Sequence, residues 1–436
     1  MTGLLVAALA AATVTHYSAA LDVRIAAGTI GGHVVLTANA AAVDADRVVL
    51  DAGDIAIDAV TIGRRPVTFT KSGTRLVIEL PATLRHGHSA RIDATYHVEP
   101  KRGVRFVKDA GQAYTIFSTS QWLPCIDAPD QKATLDLSIR FDTPVIAVGS
   151  GDDVDRGAAS RARTTYRWVT RRPVSTYVFG FAAGRYAVAS DSRAGVRLTY
   201  LGTTVTVDEL RSIFRDTGDM IEFFAEKAGT PYPSRTYTQV LATGSVEQEV
   251  EEFTLLSESY GRGLLTDPTD EWLQAHELAH QWWGNGVTCA SWNEFWLNEA
   301  FATFMADAWK ERRFGRAMYL HEIDLSRTRY ERVRDAGHDH PLVYESWDHP
   351  TAADRTIVYQ KGAYVLHLLR EQLGDEPFWR GIRDYTRQYM NRSVTTTDFQ
   401  QAMERSTGVD LSAFFARWVA HPASERQLFG SERRRD

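Results

Sequence analysis

The stretch Trp272-Leu-Gln-Ala-His276-Glu277-Leu-Ala-His280-Gln-Trp-Trp283 sets two histidines four residues apart in an otherwise apolar, helix-favouring run. On a helix that spacing puts both imidazoles on one face, one turn apart, where two neutral ring nitrogens reach the same tetrahedral ion. Glu277 follows the first histidine directly, so its carboxylate is poorly placed as a third ligand but within reach of a water at the ion. Polar side chains in an apolar helix need a partner to offset their desolvation, and a metal is such a partner.

A catalytic zinc takes three protein donors and keeps one position open, so a further ligand is expected from a separate element. Glu299, in Trp296-Leu-Asn-Glu299-Ala-Phe301, stands on the next expected helix, beyond a turn at Gly284-Asn-Gly286. The reading is therefore one Zn2+ per chain on His276, His280 and Glu299. Two imidazoles and one carboxylate leave the ion net positive, which lowers the pKa of a water and polarises a carbonyl. Zinc-activated water, with Glu277 as general base and then as proton donor to the leaving amine, hydrolyses a peptide bond without a covalent intermediate.

Outward from this centre the chain changes character once. Before it, from about Tyr17 to Tyr186, short apolar or alternating runs such as Val34–Thr37, Leu76–Leu80 and Leu135–Phe141 are separated by turn-rich stretches including Gly149-Ser-Gly-Asp-Asp153, the pattern of an all-β module. Helical periodicity takes over at Val207–Lys227, pauses for a strand pair near Tyr237–Leu241 and Phe253–Leu256, and dominates from Trp272 onward. The expected division is a β domain over 1–188, a helical zinc domain over 189–422 and a charged tail over 423–436.

Composition excludes several classes. With 44% hydrophobic and 24% charged residues, and 49 basic against 55 acidic side chains, the chain is an ordinary globular protein without a nucleic-acid footprint. Its two cysteines, Cys125 and Cys289, are too few for a disulfide framework and lack zinc-finger spacing. The Ala/Leu-rich run within residues 1–14 is too short to span a bilayer, so no stable membrane insertion is expected. It has the core of a signal or leader remnant but no cationic flank, and export and a cytoplasmic location stand as equal readings.

The run His276 to Phe304, with Gln281-Trp-Trp-Gly-Asn285 and Trp296-Leu-Asn-Glu299, resembles the gluzincin aminopeptidase family that includes aminopeptidase N and the leukotriene-type epoxide hydrolases. Leu123-Pro-Cys-Ile-Asp-Ala-Pro-Asp-Gln-Lys132, Tyr359-Gln-Lys-Gly362 and the stretch from Asp398 to Trp418 extend the similarity over most of the chain. The resemblance implies an α+β multidomain fold: an N-terminal all-β, saddle-like domain followed by a thermolysin-like, mostly helical zinc catalytic domain. It implies peptide substrates, and a Tyr359 phenol aimed at the developing oxyanion, a role suited to a neutral donor of high pKa.

The resemblance also places Gly244-Ser-Val-Glu247-Gln248 where the family has its Gly-x-Met-Glu-Asn exopeptidase motif. There a backbone edge takes the peptide as an added strand and a glutamate receives the α-ammonium. Read as a strand, the segment would turn Glu247, Glu249 and Glu251 to one face. Glu247 is the expected amine anchor, Glu249 the second choice, with Gly244 and Gln248 beside them and Gln121 from the shortened segment before Leu123. Val and Gln replace the motif's Met and Asn, and the chain ends soon after Trp418, where relatives commonly continue, so a short form with an open cleft is expected. Endo- or oligopeptidase activity, a non-catalytic zinc-containing binding module and epoxide hydrolysis are the alternatives.

Overall fold

The computed structural model describes residues 10–40, 44–142, 144–156, 164–345, 347 and 349–421. Residues 1–9 of the leader reading and the tail reading over 423–436 lie outside them. The chain forms two compact units, one of residues 1–190, 198–212 and 236–262, the other of residues 191–197, 213–235 and 263–436.

The first unit is organised by one long strand, Ala10–Arg24. Its alternate residues Tyr17, Ala19, Leu21 and Val23 are buried, the period-two pattern of a strand covered on one face. It pairs antiparallel with Thr29–Asn39 and parallel with Lys132–Phe141, while its first residues pair with Ala45–Asp51. A strand that exchanges one neighbour for another along its length makes the sheet part and curl, and the resulting sheet has twelve strands. A four-stranded sheet runs in the order Ile146–Gly149, Phe181–Gly184, Gln112–Thr115, Val104–Val107.

The Leu123–Lys132 stretch is fastened to the twelve-stranded sheet. Asp51 and Cys125 exchange backbone hydrogen bonds, the Ile126 amide donates to the buried Tyr17 hydroxyl, and the Ser120 amide donates to the Asp127 carboxylate. Both cysteines are buried free thiols.

A five-stranded sheet has the order Ala187–Arg193, Val196–Gly202, Thr236–Ala242, Phe253–Ser257, Gln248–Val250. Thr236–Ala242 and Phe253–Ser257 run parallel, and Gln248–Val250 joins antiparallel at the edge. Val240, Val246, Val250, Phe253 and Leu255 form one apolar cluster with Tyr114.

The helices are, in chain order, α1 (Val207–Ile213), α2 (Thr217–Ala228), α3 (Glu258–Thr266), α4 (Trp272–Ala279), α5 (Trp296–Phe314), α6 (Arg316–Asp335), α7 (Ala352–Thr356), α8 (Gly362–Leu373), α9 (Asp375–Tyr389), α10 (Thr396–Thr407) and α11 (Ser412–Trp418). The second unit is built around α5, whose residues Trp296 to Lys310 are all buried. A helix enclosed on every side is the core of its unit, so its polar residues must find partners. The helix stops at Gly315, whose φ of 92° an L side chain rarely adopts. No helix among the described residues is long and apolar enough to cross a membrane.

The helix opening at Trp272 ends at Ala279, and the chain then turns on Gly284 with a φ of 144°. Within the helical region read from Trp272 onward, α8 is preceded by a turn of π-helix at Ile357–Lys361. Such widened turns recur where a side chain must be re-aimed at a functional site.

Candidate metal centre

α4 and α5 pack against each other, and the residues at their contact form matching stripes. Trp272, His276 and His280 recur every fourth residue on α4 and its C-cap, as do Glu299, Thr303 and Asp307 on α5. The rungs run in opposite directions along the two helices. Glu299 faces both histidines, Thr303 faces His276, and Asp307 faces Trp272.

At the first rung the His276 and His280 Nε2 atoms are 3.1 Å apart, and each is 3.4 Å from Oε2 of Glu299. This Oε2 is buried and accepts no hydrogen bond. A tetrahedral ion bonded at about 2.0–2.1 Å sets its donors about 3.3 Å apart, so the triangle has the edge lengths of a zinc site. Among the described residues it is the single group of His, Cys, Asp or Glu side chains placed to hold a metal.

The surroundings prepare these donors. The Trp283 carbonyl, which can only accept, lies 3.0 Å from His280 Nδ1; the proton therefore sits on Nδ1 and the Nε2 lone pair faces inward. Burial holds the His276 imidazole below its ordinary pKa, hence neutral. Two neutral nitrogens and one anionic oxygen is the state metal binding requires. A side chain at Gly284 would meet His280 Nδ1 at 2.8 Å, so glycine there leaves the ring its place.

The other residues anticipated from the sequence fall into two sets. Glu277 is buried on α4 beside His276. Tyr359, on the π-helical turn, lays its ring near-parallel to His276, with centroids 5.8 Å apart and planes 14° from parallel. Its segment is held by the two residues that close the motif. Buried Lys361 donates to Asp339 at 2.9 Å and to the His340 carbonyl at 2.7 Å, and Gly362 lies so close to α5 that a Cβ would meet Ala300 Cβ at 2.4 Å. Asn298 accepts from the Cys289 amide at 2.9 Å, fixing the loop before α5.

Gly244 to Glu252 belong to the β unit. The Tyr114 hydroxyl donates to the Thr243 carbonyl at 2.7 Å and the Thr243 amide donates to Gln112 at 2.9 Å, so the chain enters Gly244, φ 108°, from a clamped residue. The segment is not one alternating strand. The ladder covers Gln248–Val250 alone; Glu247 precedes it and is exposed, Glu249 is buried within it, and Glu251 is buried after it, paired with Arg172 at 2.7 Å. Gln248 accepts from the Phe117 amide at 2.8 Å, while the Gln121 side chain packs against the backbone at Gly53 and Gly103.

The sequence reading had not singled out Thr303, Asp307 or Trp272. Their signal was present as spacing, since they lie four and eight residues after Glu299 and four before His276.

Residues 214–418 match the peptidase family M1 domain and residues 13–178 the peptidase M1 N-terminal domain. The chain belongs to the peptidase M1 family. Among M1 relatives, aminopeptidase N of Lactococcus lactis subsp. lactis is 27% identical over 93% of this chain and 51% of its own length. Leucine aminopeptidase 2 of Aspergillus niger is 27% identical over 92% of this chain and 68% of its own. The chain thus spans about half the length of several curated relatives it matches. The crystal structure of the M1 zinc metallopeptidase from Deinococcus radiodurans shares the fold at TM-score 0.79 and 24% identity, covering 95% of this chain and 94% of that one. Native yeast LTA4 hydrolase does so at TM-score 0.82 and 22% identity, covering 95% of this chain and 68% of that one. The N-terminal β-rich domain with its curled sheet and the mostly helical domain after it are the M1 architecture.

Proposed function

We propose that this M1 chain is a zinc aminopeptidase, with His276, His280 and Glu299 as the ligands of one Zn2+. The observation that carries the reading is the triangle of buried donors with 3.1 and 3.4 Å edges. Bound there, zinc supplies a Lewis acid that polarises a peptide carbonyl and acidifies water.

The protein's own groups do the rest. Glu277 takes a proton from the attacking water and delivers it to the departing amine, so that oxygen adds to the carbonyl carbon and hydrogen to the nitrogen as the C–N bond breaks. Tyr359 donates its phenolic hydrogen to the carbonyl oxygen as negative charge builds there. Glu247, with Glu249 as second choice and Gly244 and Gln248 beside them, receives the substrate's α-ammonium, which turns a peptidase into an aminopeptidase. Support for Glu247 over Glu249 and Glu251 is its exposure, since the other two are buried and Glu251 already faces Arg172. The division read from the sequence, 1–188 and 189–422, remains the proposal for the functional domains.

The test is hydrolysis of aminoacyl reporters and of one peptide in free and N-acetylated form, with and without a zinc chelator. Cleavage of the free peptide alone, lost with chelator and restored by zinc, is expected. Equal cleavage of the acetylated peptide would replace the aminopeptidase with an endo- or oligopeptidase. A zinc-loaded protein that cleaves nothing, with or without Glu277→Gln, would make it a binding module.

A further inference from the structure

The two zinc-side histidines are oriented unequally. His280 is locked by a 3.0 Å hydrogen bond from Nδ1 to the Trp283 carbonyl, whereas among the described residues Nδ1 of His276 meets only Thr303 Oγ1, at 3.4 Å. A ligating imidazole ordinarily needs a firm outer partner to fix its plane. His276 has a flat one instead. The Trp272 indole, one turn earlier on α4, lies against it with ring centroids 5.0 Å apart and planes 24° from parallel.

That indole is itself pinned. Its Nε1 donates at 2.8 Å to Oδ1 of Asp307, a carboxyl buried on α5. Burial pushes the Asp307 carboxyl well above its ordinary pKa, and its Oδ1 accepts the indole hydrogen whichever protonation state it holds. The desolvation of a buried acid calls for a compensating partner. Position supplies it: Asp307 is the last rung of the Glu299, Thr303, Asp307 stripe, directly opposite Trp272.

We infer that Trp272 and Asp307 are positioning residues for zinc, a carboxyl–indole clamp that sets the plane of His276 where other ligands rely on a hydrogen bond. The inference rests on the zinc reading above.

The experiment measures zinc affinity of the full chain by chelator competition at fixed pH, alongside thermal unfolding of the metal-free protein. Asp307→Leu removes the acceptor and Asp307→Asn restores one of the same shape. Asp307→Leu is expected to weaken zinc by about 10–100-fold, the usual worth of an outer partner, with Asp307→Asn within about threefold of the unchanged protein. Trp272→Phe keeps a ring but loses the N–H, so it falls between Asp307→Asn and Trp272→Ala. Equal affinities for Asp307→Leu and Asp307→Asn, or a folded Trp272→Ala that binds zinc as tightly as the unchanged protein, overturn the clamp. If Trp272→Ala does not fold, the Asp307 pair decides. Failure of the unchanged protein to bind zinc would instead sink the metal reading, and is told apart by that control.

Discussion

The stripe shared by α4 and α5 and the segment from Gly244 to Glu252 were both read from residue spacing, yet one spacing carried through to geometry and the other did not. On the helices, residues four apart are neighbours whatever else happens, and His276, His280 and Glu299 meet within hydrogen-bond range. In the segment, alternation assumed a strand long enough to express it. The ladder stops at three residues, Gln248–Val250, and a residue with φ 67°, Glu252, turns the chain into Phe253–Ser257. Helical register is enforced locally, while strand register depends on how far a partner strand runs.

The sharpest attempt to break this contrast is Glu277→Gln. If the helix pair is the reaction centre, turnover of an aminoacyl reporter falls by about 10²–10⁴-fold while zinc content stays at that of the unchanged protein. Steady-state kinetics with metal analysis reads both, and unaltered turnover would remove the reaction from α4.

Next in size is Arg172→Met in the β unit, which strands the buried Glu251 carboxylate. Loss of a buried partner costs about 3–5 kcal/mol, visible in urea unfolding at neutral pH. Burial already raises the Glu251 pKa against the pull of Arg172, so the loss shrinks in acid, where the carboxyl is protonated and no lone charge is buried. A variant as stable as the parent at pH 7 would show that the edge does not depend on this pair.

A smaller effect separates the glutamates of the segment. Glu247→Gln is expected to raise KM for a free-amine peptide about 10-fold, roughly 1.4 kcal/mol, and to leave the N-acetylated peptide unchanged. The same result from Glu249→Gln and not from Glu247→Gln would transfer the anchor to the ladder.

The smallest effect probes the helix pair from behind. Burial, assisted by Asp216, pushes Glu271, at the N-cap of α4, up to about 7. Its folded pKa exceeds its unfolded value, so between about pH 4.5 and 7 the folded protein holds the proton that the unfolded chain releases. Stability from this group therefore declines as pH rises through that window. Glu271→Gln should raise the unfolding temperature more at pH 8 than at pH 5. Equal shifts at both would mean the group ionises freely.

Much of this protein was open to reading without coordinates. The alternation of the first strands, the switch to helical periodicity and the His-Glu-x-x-His run followed by Asn298-Glu299 are local patterns, and local patterns suffice where one element supplies its own geometry. Tyr359 was legible through its motif, though the reason for that motif was not: Lys361 and Gly362 matter for a buried ion pair and a close helix approach, both contacts with residues distant in sequence. Thr303, Asp307 and Trp272 were missed for a different reason. Each looks ordinary until two helices are laid side by side.

The sequence by itself determined the chemistry available here: two imidazoles on one helical face, a carboxylate beside them, and a third donor on the following helix, because the i, i+4 rule needs nothing beyond the helix. Only the tertiary structure decided which donors meet, which glutamates of the 247–252 segment are exposed and which buried, and how His276 is held in plane. Those outcomes depend on packing between elements far apart in the chain, where burial and the reach of a neighbouring strand or helix set the answer.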